Sequence, residues 1–111
     1  MIKFLDANMR SVKTAGDNQL LAALKLTHLP QKATDEEGYA IGLGWRVQKD
    51  KTHLKSGSGD GFESIMFFNS AAAIALVVLS NSYIAEPNDI TTTGTDIFSE
   101  LLDAYLPHRL Q

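Results

Sequence analysis

The sequence contains no cysteine. Disulfides, thiolate nucleophiles and zinc–thiolate sites are therefore excluded, and the chain suits either redox environment. Positive charge is not in excess either: 10 Lys+Arg stand against 13 Asp+Glu, a net charge of −3 with His neutral. That balance leaves no basic footprint for nucleic acid and no polybasic membrane patch. Long apolar runs are also missing. The longest, Ala71 to Leu79, falls far short of the roughly 20 residues that a membrane span requires. Residues 1–9 carry one Lys and one Asp and no extended apolar stretch, so no secretory signal is read there. No internal repeat and no low-complexity segment occurs.

What is present fits one ordinary folded domain over residues 1–111. Hydrophobic residues make up 44% and charged residues 21%, which argues against disorder. Ile2, Phe4, Leu5 and Met9 have helical spacing and predict a short helix over 2–10. Asp17 or Asn18 is placed to cap a second helix over 18–28, with Leu20, Leu21, Leu24 and His28 on one face and Pro30 beyond its end. Residues 1–30 are thus the helical part, and a polar loop follows.

From residue 39 the period changes to that of strands. The pattern predicts strands over 39–47, 52–56, 62–68 and 73–80. The last is apolar throughout, which predicts cover on both faces. Residues 83–95, with Pro87 and three consecutive threonines, read as a polar loop. A final helix is expected over 95–106, with Ile97, Phe98, Leu101, Leu102 and Tyr105 inward and Pro107 as its stop. The fold class is α+β: an antiparallel meander over 39–81, flanked by N-terminal helices and a C-terminal helix.

The stretch Lys55-Ser56-Gly57-Ser58-Gly59-Asp60-Gly61-Phe62 is the least ordinary. Glycines at alternate positions are costly inside a strand. They fit a hairpin tip or bulge, or a backbone that approaches a ligand. Two hydroxyls and one ammonium beside bare N–H groups suit an anion. The order is not that of a P-loop, nor of a dinucleotide fingerprint, since a strand follows the last glycine. With one carboxylate it is not an EF-hand loop.

This stretch resembles the Lys-Thr-Gly box and its sequel in class C β-lactamases and related penicillin-recognising serine hydrolases. Ile41-Gly42-Leu43-Gly44-Trp45 is similar to the Gly-Leu-Gly-Trp strand before the box, and Ala75-Leu76-Val77-Val78-Leu79-Ser80-Asn81 to the apolar strand after it. Phe4-Leu5-Asp6-Ala7-Asn8 and Leu24-Lys25-Leu26-Thr27-His28 also resemble segments upstream of the box. The resemblance implies an incomplete part of the serine β-lactamase/transpeptidase-like fold, the C-terminal third or so of a longer enzyme. It implies a substrate class of β-lactams or D-alanyl peptides, no cofactor, and a periplasmic or envelope location for the parent. Lys55 would stand near the nucleophile and the substrate carboxylate. Ser56 would hydrogen-bond that carboxylate, Gly57 would continue the wall, and Ser58 would lend its backbone N–H to an oxyanion hole. Ser56 stands where the family more often has Thr, and Asp60 puts a negative charge near the anion site.

The family's nucleophile, a Ser-x-x-Lys motif, is missing: none of the serines at 11, 56, 58, 64, 70, 80, 82 and 99 has Lys three residues on. No tyrosine (39, 83 or 105) has Asn two residues on, and no Gly-x-Ser-x-Gly elbow occurs. The expectation is a piece of a hydrolase that is inactive alone, or else a non-catalytic binding or interaction module of the same fold. An unpaired sheet edge at Tyr39–Val47 or nearby predicts self-association. His28, His53 and His108 have no shared helical spacing and read as packing or solvated residues, not metal ligands. Asp35-Glu36-Glu37 reads as a solvated loop tip, Trp45 as core, Phe62, Phe67 and Phe68 as packing, and Tyr83 as a candidate substrate-facing residue.

Overall fold

The computed structural model describes residues 1–13, 18–33, 39–82 and 89–106. The elements are α1 (Ile2–Lys13), α2 (Gln19–Thr27), β1 (Lys32–Ala33), β2 (Ala40–Ile41), β3 (Arg46–Val47), β4 (His53–Gly59), β5 (Phe62–Asn69), β6 (Ile74–Ser80) and α3 (Ile90–Tyr105). The protein is α+β: all six strands form one antiparallel sheet in chain order, β1-β2-β3-β4-β5-β6.

Alternation along β5 builds the layers. Ile65 and Phe67 face α3 and pack with Ala72, Ile90, Phe98 and Leu102. Phe68 faces the other way and packs with Leu5, Trp45 and Val47, with Met66 against them. The sheet therefore lies between α3 on one face and α1 on the other, and each face has its own apolar cluster. The Phe67 and Phe98 rings stack with centroids 4.9 Å apart. A side chain at Gly94 would press on Ile65 and Phe67 at 3.0 and 3.2 Å, so the missing Cβ lets α3 sit close on β5.

Several expectations need correction. The segment 39–47 is not one strand. It is two short strands joined at Gly42–Gly44, where the Gly42 N–H donates to the Trp45 carbonyl (2.8 Å) and Gly44 takes φ +82°. The strand expected over 52–56 runs on through Gly59, because its full ladder with β5 outweighs the poor strand propensity of its glycines. The last helix begins at Ile90 rather than 95. Three threonines and a glycine are weak helix formers, but burial of Ile90 and Gly94 against the sheet overrides them. The expected inner face of α2 is buried only in part: His28 is buried and Leu21 and Leu24 are half-buried, but Leu20 is 67% exposed. Finally, the long open edge of the sheet is not at Tyr39–Val47, where β1 covers β2. It is β6, whose outer side meets no strand among the described residues. Being an edge, β6 is half-buried rather than covered on both faces.

Tight polar contacts hold the β5–β6 hairpin. Asn69 is fully buried, and its Nδ2 donates to the Asp50 carbonyl (3.2 Å) and to Thr52 Oγ1 (3.1 Å). Its Oδ1 accepts from the Ala72 N–H at 3.0 Å. The turn forces Ala73 to φ +57°.

Candidate functional site

The glycines of the unusual stretch divide by role. Asp60–Gly61 is the two-residue turn of the β4–β5 hairpin, since Gly59 pairs with Phe62, and Gly61 takes φ +82°. Gly59 lies under the Phe62 ring, with which any Cβ would collide. Two of the three glycines thus serve the hairpin. Gly57 lies farther back, where a Cβ would meet only Ser64 Oγ at 3.3 Å.

Strand alternation separates Lys55 from the serines. Lys55 pairs with Met66 and shares its face. It is exposed and borders a groove of about 340 Å³ lined by Phe4, Leu24, Leu43, Trp45 and Met66. Among the described residues it makes no ion pair. Ser56 and Ser58 pair with Ile65 and Glu63 and point to the α3 face. There they line a cavity of about 200 Å³ with Gly57, Glu63, Ser64 and Thr91.

The backbone of β4 supplies the rest of the site. The Gln48 N–H donates to the Thr52 carbonyl at 2.8 Å, so Thr52 turns its peptide groups toward β3. The Ser64 hydroxyl reaches the Gly57 carbonyl at 3.3 Å, so Gly57 turns toward β5. In an antiparallel ladder these directions alternate. Leu54, Ser56 and Ser58 therefore aim N–H and C=O toward β3. But β3 ends its pairing at Arg46↔Leu54. Beyond that point the edge carrying the Ser56 and Ser58 amides has no partner strand among the described residues. The result is an open strand edge with two outward peptide N–H groups, an ammonium on one face of the sheet and two hydroxyls on the other.

Glu63 was missed by reading the sequence. It is 9% exposed, opposite Ser58, and its Oε2 is buried with no hydrogen-bond partner; the same holds for Asp89 Oδ1 at the head of α3. Its signal was parity: Glu63 alternates in step with Ile65 and Phe67, both core.

Two of the histidines take the packing role expected of them, and they do so together. His28 and His53 are distant in sequence, yet their rings lie 4.9 Å apart within a cluster with Trp45 and Phe68. His28 Nε2–H donates to Asn8 Oδ1 at 2.7 Å, because Asn8 Nδ2 is committed to the Phe4 carbonyl. His53 Nδ1 meets the Lys51 carbonyl at 3.0 Å. Burial, then the neighbouring His53, push the pKa of His28 from 6.5 down to about 4. Burial also lowers that of His53. Both rings are neutral at pH 7. Tyr83, His108 and the acidic run 35–37 lie outside the described residues. Among the described residues no helix is long and apolar enough to cross a membrane, and no group of three or more His, Asp or Glu is placed to hold a metal.

No protein-family model, curated protein or solved structure matches this chain.

Proposed function

We propose that this chain supplies one wall of the active site of a β-lactamase- or D-alanyl-D-alanine carboxypeptidase-like serine hydrolase, and that the attacking serine comes from residues outside it. The observation that carries this reading is the open edge of β4. Lys55 offers a positive charge for a substrate carboxylate, and the outward Ser58 N–H is available to a developing oxyanion. A substrate's own extended backbone would lie along that edge and pair with Ser56 and Ser58. Phe4 and Leu43, both exposed and both lining the groove beside Lys55, support the reading, because they offer an apolar surface suited to cover by further protein. In the parent, attack by the serine oxygen on the amide carbonyl would break the C–N bond, the departing nitrogen would take up the serine's proton, and water would then hydrolyse the acyl-enzyme ester to a carboxylic acid and free serine. This chain alone would not turn over.

The experiment is a titration with benzylpenicilloate, a ring-opened carboxylate, followed by backbone amide NMR. Shifts confined to Lys55–Gly59 and their neighbours, lost in Lys55→Ala, are expected. Shifts elsewhere, or indifference to Lys55→Ala, would defeat the proposal. The alternative is a non-catalytic binding module of the same fold, favoured by the absence of any Ser-x-x-Lys. Mass spectrometry with a β-lactam separates both from a competent enzyme: stoichiometric acylation would mean that a nucleophile is present after all.

A further inference from the structure

A second cavity lies at the opposite end of β4. It has a volume of about 450 Å³, within the usual range for small-molecule sites, about 300–1,000 Å³. The ends of α1 and α2, the turn before β4 and the β5–β6 hairpin meet around it. Its walls are largely apolar, with Val12, Leu29, Pro30 and Val47 beside the two buried histidines. Three lysines, Lys13, Lys25 and Lys51, stand at its margin, all exposed, and among the described residues no acidic one lines it. None of the three makes an ion pair among the described residues.

We propose that this cavity binds a small amphipathic carboxylate, an apolar carbon chain or ring that ends in a single anionic group. The two ends of such a ligand match the two zones of the cavity. The buried zone is uncharged, since His28 and His53 are neutral at pH 7, and it accepts carbon without desolvating a charge. The outer zone holds ammonium groups that make no ion pair among the described residues and keep their hydration until a carboxylate arrives. Part of this arrangement is fixed in advance. Lys51 sits at φ +70°, its N–H donates to the Gln48 carbonyl (3.0 Å), and its own carbonyl contacts His53 Nδ1. The turn that presents one cation therefore also orients one wall. The flanking lysines near the C-terminal ends of α1 and α2 are favoured by the helix dipoles as well. That accounts for Lys13 and Lys25, but not for Lys51 or for an apolar hollow between the three.

Trp45 is the single tryptophan. It lies 6.1 Å from His28 and 6.3 Å from His53, centroid to centroid, and it also lines the Lys55 groove, so its emission is assigned to this cavity by the response of the Lys25→Glu/Lys51→Glu variant. The test titrates octanoate, 1-octanol and acetate into the chain, read by Trp45 fluorescence and by calorimetry. Expected are saturable one-to-one binding of octanoate with a dissociation constant below about 1 mM, and binding at least about 10-fold weaker for octanol and for acetate. The Lys25→Glu/Lys51→Glu variant should lose about 10-fold or more for octanoate, whereas Lys3→Glu, remote from the cavity, should change nothing. If the double variant does not fold, salt dependence replaces it: octanoate affinity must fall between about 20 and 500 mM NaCl while octanol affinity does not. Equal affinity for octanoate and octanol, equal affinity for acetate, an unchanged folded double variant, or no saturation would each overturn the proposal.

Discussion

Mild acid should destabilise this protein, and the buried imidazoles set the size of the effect. In the unfolded chain His28 has its ordinary pKa of 6.5, and in the folded protein about 4. Between these values the unfolded state binds more protons than the native state, so stability falls as pH falls. His28 contributes fully above pH 6.5, and that contribution is withdrawn progressively toward pH 4. Between pH 7.5 and 5 the loss from His28 alone is about 2 kcal/mol. His53, shifted in the same direction, adds to it. The assay is urea unfolding followed by Trp45 fluorescence at pH 7.5 and pH 5. For a domain of this size the loss should lower the midpoint by about 1 M or more. The His28→Gln variant keeps a side-chain amide able to donate to Asn8 and removes the titration. It should unfold more easily at pH 7.5 yet show a much shallower dependence on pH. Equal midpoints at the two pH values, or an unchanged slope in the variant, would refute the reasoning.

Other consequences follow from the hairpin and the edge strand. Asn69→Ala removes all three hydrogen bonds of a fully buried amide and should cost about 2–4 kcal/mol in chemical unfolding. Ala73→Gly, at φ +57°, should instead stabilise by about 0.5–1 kcal/mol, because glycine bears the left-handed backbone without strain. The open edge of β6 carries no charge and no proline from Ile74 to Ser80, and should pair with a second copy. Sedimentation should show concentration-dependent association, reduced by Leu79→Lys at a side chain 65% exposed. A wild-type chain that stays monomeric at high micromolar concentration would rule this out.

The element types were legible in the sequence because they rest on period. Apolar spacing in α1 and α3 and alternation in β5 report the element type and the centre of the buried face: Leu5, Ile65, Phe67, Phe98 and Leu102 are buried, but Ile2, Phe4, Ile97 and Tyr105, expected inward, are exposed. The start of α3 was not legible, since three threonines and a glycine read as loop until the sheet is there to receive them. Leu20 of α2 misled for the opposite reason: its spacing promises burial, but among the described elements α1 alone lies against that helix to any extent. At the site, Lys55 and its serines stood out by composition, whereas Glu63 and the His28–His53 pair did not. Proximity between distant residues is made by the fold. No local pattern brings residue 28 beside residue 53.

The division of 39–47 into two strands matters more than a boundary error, because the candidate site depends on it. A continuous strand there would extend the ladder along β4 past Leu54 and close off the amides of Ser56 and Ser58. Gly42 and Gly44 prevent this. Gly42 is packed so closely on α2 that a Cβ would collide with the Thr27 carbonyl. The next residue, Leu43, donates its N–H to that same carbonyl at 2.8 Å. Gly44 then turns with φ +82°, a conformation that costs a non-glycine residue about 1–2 kcal/mol. The chain is thereby pinned to α2, and only Arg46 and Val47 return to the sheet. Two glycines ten and more residues before Lys55 thus keep its strand edge open. Gly42→Val should displace the segment from α2 and disturb the edge without touching Lys55, Ser56 or Ser58. In amide hydrogen exchange, faster exchange at Leu43 together with altered exchange at Ser56 and Ser58 is the expected pattern. A change at Leu43 with Ser56 and Ser58 unaffected would show that the open edge has another cause.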